Sequence, residues 1–357
     1  MSRLVSLISN MSEGGLYNFS LPKELIAQAP AEPRDSSRLF VYDTTEDSIV
    51  IDTFKNLAKY LTRNSLVVLN NTQVVPARLS LKKRTGGSVT ILFLFNEWDR
   101  GEVIKGLPDK SVKIGHDLFI GDKAIIQAAS HKDEEYSWKL LISAKEFEEL
   151  CNSNGRTPLP PYIDSKLSES ERRSKYQTIF AAKPASVAAP TASLHFTDGV
   201  FGSFKERGIS ITNVTLHVGR GTFSPVTEKT EEAGVLHEEP ICISKESVEI
   251  LNRAQKESRP IIAAGTTVLR TLESVANEIR NNQSVDTATR IFIRPPYDFK
   301  IVNGLVTNFH LPNTSLLMLL DAFLQSKNAR KSWRELYEIA IAEKFRFYSF
   351  GDAMLII

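Results

Sequence analysis

Between about Ala77 and Ser143 the sequence breaks into six short runs rich in β-branched and aromatic residues. They are Arg78–Leu81, Val89–Phe95, Glu102–Ile104, Leu118–Ile120, Ala124–Ala128 and Ser137–Ile142, with Thr85-Gly86-Gly87 as a hairpin turn. This feature constrains the fold most, because strands so short and closely spaced favour a small barrel or sandwich. On either side the chain alternates helix and strand signals. Pro22 suits the first position of a helix over 23–28, Thr53 suits the cap of one over 54–61, and Ser244 precedes a helix with Val248, Leu251 and Ala254 on one face. Residues 212–218 show a strand period in which Val214, Leu216 and Val218 point one way and Thr215 and His217 the other. Residues 261–264 read as a buried strand that feeds Gly265-Thr266-Thr267 and then a helix over 268–279. The expectation is an α/β main domain over residues 1–76 and 144–357, carrying the site, with an inserted all-β, barrel-like domain over 77–143.

A chain of 357 residues has room for two such units and a substantial core. Its net charge of +2 excludes a protein that binds nucleic acid through bulk charge alone. Any RNA contact must therefore be local, at patches such as Lys82-Lys83-Arg84, Arg172-Arg173 with Lys175, or Lys327 with Arg330, Lys331 and Arg334. Cys151 and Cys242 stand far apart and give no support for a zinc site or a disulfide framework. No stretch approaches the roughly 20 apolar residues of a spanning helix, and the start lacks a secretory pattern, so the expected location is cytoplasmic, with no membrane partner.

Four polar-rich strings sit at predicted strand ends: 188–197 with Thr191 and His195, 215–223 with His217 and Phe223, 264–273 with Gly265 to Thr267 and Glu273, and 307–312 with Asn308, Phe309 and His310. Each places a histidine, or a Gly-Thr turn with an arginine, beside residues that let backbone approach a ligand. A strand entering a Gly-Thr-Thr turn presents N–H groups at a helix N-terminus, which suits a carboxylate or phosphate; the plain alternative is that Thr266 or Thr267 only caps the helix. None of the six histidines has metal-ligand spacing, so no metal is expected. Gly219-Arg220-Gly221 lacks the further glycine of a dinucleotide fingerprint, and a Walker-type loop is absent.

These strings, together with Leu21 to Gln28, Arg34 to Leu39, Asn70 to Leu79 and Arg346 to Met354, resemble the S-adenosylmethionine:tRNA ribosyltransferase-isomerases of queuosine biosynthesis over nearly the whole chain. The resemblance implies that the ribosyl group of S-adenosylmethionine, used as a co-substrate, moves to 7-aminomethyl-7-deazaguanine in the wobble position of a tRNA anticodon. Ring rearrangement then gives epoxyqueuosine, and adenine and methionine leave. A sulfonium acidifies the adjacent C5′–H, so a base is needed there, and adenine needs help to depart. His195, His217 and His310 are the candidates for this work, with Glu273 and Asp352 as carboxylate candidates. Thr191, Phe223, Gly265, Thr266, Thr267, Tyr297, Asn308 and Phe309 are candidates to hold the donor. Arg38, Arg78 and Arg346 are candidates to grip the RNA around an extruded base.

Several positions depart from the family's pattern: Ser193 and Arg220 stand for small residues, Thr90 for a glutamate, and Ala233 and Gly234 for a glutamate and a histidine. Two further readings follow, a related transferase with a different acceptor and a noncatalytic RNA-binding protein on the same scaffold.

Overall fold

The parallel strands at the centre of this protein are apolar on both faces, and that pattern dictates a sheet covered on both sides. In β3 (Leu66–Asn70), Leu66 and Val68 pack into one core while Val67 and Leu69 pack into another; in β14 (Ile261–Ala264), Ile261 and Ala263 alternate with Ile262 and Ala264 in the same way. The computed structural model describes residues 15–163, 167–219 and 226–357. Its main sheet has nine strands. From one edge they run β15 (Val285–Thr289), β13 (Glu239–Ile243), β12 (Ser210–Leu216), β3, β14, β16 (Gly304–Asn308), β17 (Ala353–Ile356), β1 (Arg38–Asp43) and β2 (Ser48–Thr53). The consecutive neighbours β12, β3, β14 and β16 are parallel, so their carboxyl ends share one rim of the sheet.

Helices over Lys245–Lys256, Thr266–Ser274, Ser315–Ser326 and Trp333–Ala342 bury their apolar residues on one face of the sheet. The helix Asp198–Glu206 and the 3-10 segment Phe54–Tyr60 cover the other. Ser244 caps its helix as expected, its hydroxyl accepting from Ser247 N at 3.2 Å. Among the described residues no helix is long and apolar enough to cross a membrane.

Between β4 (Thr72–Val74) and β11 (Lys183–Ser186), which pair as a two-stranded ladder, lies a closed antiparallel barrel of six strands. These are β5 (Arg78–Lys83), β6 (Ser88–Phe93), β7 (Val103–Pro108), β8 (Asp117–Ile120), β9 (Lys123–Lys132) and β10 (Glu135–Leu140). Each corresponds to one of the six runs marked in the sequence. The barrel has a core of its own, centred on Trp138, Phe93 and Phe147, and the Trp138 indole donates to Gly106 O at 3.3 Å. The protein is thus an α/β domain with an inserted β-barrel.

Three local expectations differ from the structure. Helix over 23–28 shortens to a 3-10 turn, Lys23–Leu25, because the chain next becomes extended and Ile26 bridges Phe347. Thr53 makes no cap bond; Asp52 instead accepts from Thr53 N at 2.7 Å, Asn56 Nδ2 at 2.7 Å and Tyr60 Oη at 2.6 Å, holding a 3-10 segment in place of an α-helix. The helix expected over 268–279 begins earlier, at Thr266, and breaks at Val275, whose φ of −128° and ψ of 33° are not helical, before resuming over Ala276–Arg280.

Candidate functional site

Three of the four polar strings meet at the carboxyl ends of β14 and β16, the rim where open α/β sheets bind ligands. Gly265 follows β14 with φ +109°, a conformation strained for any residue with a Cβ, and serves as N-cap of the helix Thr266–Ser274. Neither threonine caps it: Thr267 Oγ1 accepts from Asn70 Nδ2 at 3.3 Å. Gly265 N donates to Val306 O at 2.8 Å, fixing the turn to the neighbouring strand. A cleft there is lined by Thr191, Gly265, Thr266, Thr267, Asn308, Phe309 and His310 among the expected residues, and by Tyr162, Leu316, Tyr348 and Ser349.

Asn308, at the end of β16, is locked from both sides. Thr191 Oγ1 donates to its Oδ1 at 2.8 Å, and its Nδ2 lies 3.3 Å from His195 Nε2. With that nitrogen accepting, the His195 proton sits on Nδ1 and is donated to Ser37 Oγ at 2.9 Å. His195 is buried beside Phe54, and desolvation pushes its pKa down to about 4, so it is a neutral prop behind the cleft. His310 lines the cleft itself. Its Nε2 lies 2.9 Å from Thr307 Oγ1, its backbone N donates to Tyr337 Oη at 2.8 Å, and burial pushes its pKa down to about 3.

His217 is placed differently. It extends from β12 beside the rim, with Nδ1 2.8 Å from Thr72 Oγ1, and does not line the cleft. Desolvation, with Arg100 and Lys183 nearby, lowers its pKa. The two carboxylates hold backbone. Glu273 accepts from Lys300 N at 2.8 Å and from Ile301 N and Val302 N at 3.0 Å, so it clamps a loop away from the cleft. Burial raises its pKa against those three donors. Asp352 accepts from Arg346 N at 2.8 Å, Arg346 Nη2 at 2.8 Å and Arg38 N at 3.2 Å.

The arginines named for RNA are each tied inward to some degree. Arg346 pairs with Asp352; Arg38 lies over the Phe345 ring at 4.0 Å and pairs with Glu343 at 3.8 Å. Arg78 exchanges backbone hydrogen bonds with Arg156, while its buried Nε has no partner among the described residues. Tyr297 packs on Phe299, 4.7 Å between ring centres, outside the cleft lining. Phe309 is fully buried among Phe40, Phe345 and Phe347, so it shapes the cleft from the core side. Phe223 and Arg220 lie outside the described residues. Of the departures from the family's pattern, Ser193 Oγ donates to Ala264 O at 3.3 Å, Thr90 Oγ1 pairs with Ser80 Oγ at 3.0 Å, and Gly234 takes the left-handed φ of +64° that closes the helix Glu228–Ala233.

Sequence reasoning missed Tyr162, which reaches the cleft and bonds Ser349, and the pair Asn70 and Thr72, which tie the strand ends together. Asn70 and Thr72 stood inside a matching block and were legible there; an isolated Tyr162 carries no signal. The cleft measures only about 40 Å3, room for a fragment of a ligand. Beside it a groove of about 1210 Å3 runs between the barrel and the main domain, and Leu316 lines both. Its walls include Asn96 and Trp98 from the barrel side and Glu239 and Arg270 from the sheet side.

The model of a family described as "Queuosine biosynthesis protein" matches residues 15–356. The chain is 43% identical over 346 residues to the S-adenosylmethionine:tRNA ribosyltransferase-isomerase of Carboxydothermus hydrogenoformans, covering 96% of this chain and 98% of that one. It is 41% identical over 348 residues to the enzyme of the same name from a Thermoanaerobacter species, again 96% and 98%. The crystal structure of the S-adenosylmethionine tRNA ribosyltransferase from Thermotoga maritima aligns with a TM-score of 0.53 at 32% identity, covering 96% of this chain and 99% of that chain. Three strings at one rim, an inserted barrel and end-to-end similarity converge: the chain belongs to the queuosine biosynthesis family of S-adenosylmethionine:tRNA ribosyltransferase-isomerases.

Proposed function

We propose that this protein transfers the ribosyl unit of S-adenosylmethionine to 7-aminomethyl-7-deazaguanine at the tRNA wobble position and isomerises it to epoxyqueuosine, releasing adenine and methionine. The observation that carries the reading is the meeting of Gly265–Thr267, Asn308 and His310 in one cleft that opens beside a groove large enough for the donor. Loss of C5′–H starts the rearrangement, and a proton must reach the departing adenine. His310 is the titratable group of the three strings that lines the cleft, and its burial keeps it neutral. A neutral imidazole beside a sulfonium incurs no like-charge repulsion, and it can accept or donate a hydrogen bond as protons move. Asn308, its amide fixed by Thr191 and His195, supplies a donor and an acceptor of set orientation. The acceptor amine must be neutral to attack, which an enclosed, poorly hydrated site favours.

The test is incubation with S-adenosylmethionine and tRNA bearing the aminomethyl-deazaguanine. Adenine, methionine and the modified nucleoside, identified by mass, are the expected products. Adenine release with this tRNA unchanged points to another acceptor, and tRNA binding without adenine release removes the enzymatic reading.

A further inference from the structure

Arg270 is 3% exposed at the wall of the large groove, and its guanidinium is only partly used. Nη1 donates to Glu239, while Nε and Nη2, the edge that grips a carboxylate with two parallel bonds, are buried without a partner among the described residues. Asn96, reaching the same groove from the barrel, is 5% exposed, and both its amide atoms also lack partners among the described residues. Unpaired buried polar atoms are costly and uncommon, so two such side chains facing one groove indicate a ligand that completes them.

The charges select its class. Arg270 and Glu239 form a buried cation–anion pair, each side chain 4% exposed, which is net neutral and therefore poor for a lone anion. It is complementary to a zwitterion: a carboxylate against the free edge of Arg270 and an ammonium beside the Glu239 carboxylate and Asn96 Oδ1. Among the described residues the groove lining also carries more carboxylates than lysines and arginines, which opposes a phosphate backbone and suits a cationic ligand. Position agrees. Arg270 lies one helical turn beyond Thr266, on the same helix face, and Thr266 lines the strand-end cleft.

We propose that Arg270, with Asn96 and Glu239, is the receptor for the α-amino-acid head of S-adenosylmethionine, so that the donor lies across cleft and groove with its sulfonium between them. The assignment rests on the reading given under Proposed function. Arg270 and Asn96 are positioning residues that set donor affinity and orientation.

Isothermal titration of the full-length protein with S-adenosylmethionine and with its decarboxylated analogue tests this. The unaltered protein should prefer the carboxylated donor by about tenfold or more, the scale of a charge-assisted bidentate contact. Arg270→Lys, which keeps the charge but not the fork, should reduce the preference to below about threefold, and Asn96→Ala should weaken both ligands. Equal affinity of the unaltered protein for the two ligands overturns the assignment without any variant, as does a preference that survives Arg270→Lys. A variant that binds both ligands normally but loses tRNA affinity overturns it in favour of a phosphate site. Failure to bind either ligand sinks the function reading itself, whereas binding that ignores the carboxylate sinks only this inference.

Discussion

The inserted barrel and the strand-end rim are built on opposite plans. The barrel's core is apolar side chains filling a closed antiparallel sheet, Trp138, Phe93, Ile91 and Leu118 among them, while Ser80, Lys82 and Lys139 on its strands are exposed. At the rim, polar side chains are buried and bonded to one another: Asn70 to Thr267, Thr72 to His217, Asn308 to Thr191 and His195. Apolar packing is non-directional and tolerates exchange at constant volume, whereas a buried hydrogen bond requires a particular partner at a particular angle. The barrel is therefore a matter of pattern, and the rim a matter of identity. Substitutions should separate the two regions by what they damage.

The largest separation is expected at the rim. His310→Ala should lower single-turnover adenine release by about 10²- to 10⁴-fold, the usual worth of a positioned acid or base, while far-ultraviolet dichroism stays unchanged. A rate within about threefold of the unaltered protein would remove His310 from the chemistry. In the barrel, Trp138→Ala should cost about 3–5 kcal/mol in denaturant unfolding, yet donor affinity at temperatures below the transition should not change. A parallel loss of donor affinity would show that the two regions are one energetic unit. Gly265→Ala comes next: an alanine forced to φ +109° should cost about 1–3 kcal/mol and weaken donor binding, because that turn lines the cleft.

A further effect is one of pH and acts on stability alone. His195 and His310 have folded pKa values of about 4 and about 3, below the unfolded value near 6.5, because burial penalises the charged ring. Between those limits the unfolded chain binds protons that the folded one does not. Their contribution is complete above about pH 6.5 and is lost as pH falls toward 4, at roughly 1.4 kcal/mol per pH unit for each ring. Urea midpoints from pH 7 to pH 5 should fall in the unaltered protein and fall less in His195→Gln. Equal slopes would mean that His195 is not held neutral.

The same contrast explains what the sequence disclosed. Short runs of β-branched and aromatic residues, with turn residues between them, located all six barrel strands, because those signals are local. The alternation through Val214, Leu216 and Val218 likewise identified the core face of β12, but which partner His217 would meet depended on Thr72, brought in by a separate strand. Glu273 and Asp352 looked like free carboxylates in the sequence. Their backbone partners, Ile301 for one and Arg38 for the other, come from 28 and 314 positions away, and no single-chain pattern encodes such pairings. The break at Val275 has no glycine or proline to mark it. Gly265 was legible for the opposite reason: a strand ending in Gly-Thr-Thr is a local signature of a turn into a helix.

The central claim is that three separated strings form one donor-binding rim at the carboxyl ends of β14 and β16. A crystal structure with S-adenosylmethionine bound addresses it most directly. The donor is expected against Gly265 to Thr267 and Asn308 to His310, extending past Leu316 into the groove. Donor density at the opposite edge of the sheet, or on the outer wall of the barrel, would contradict it.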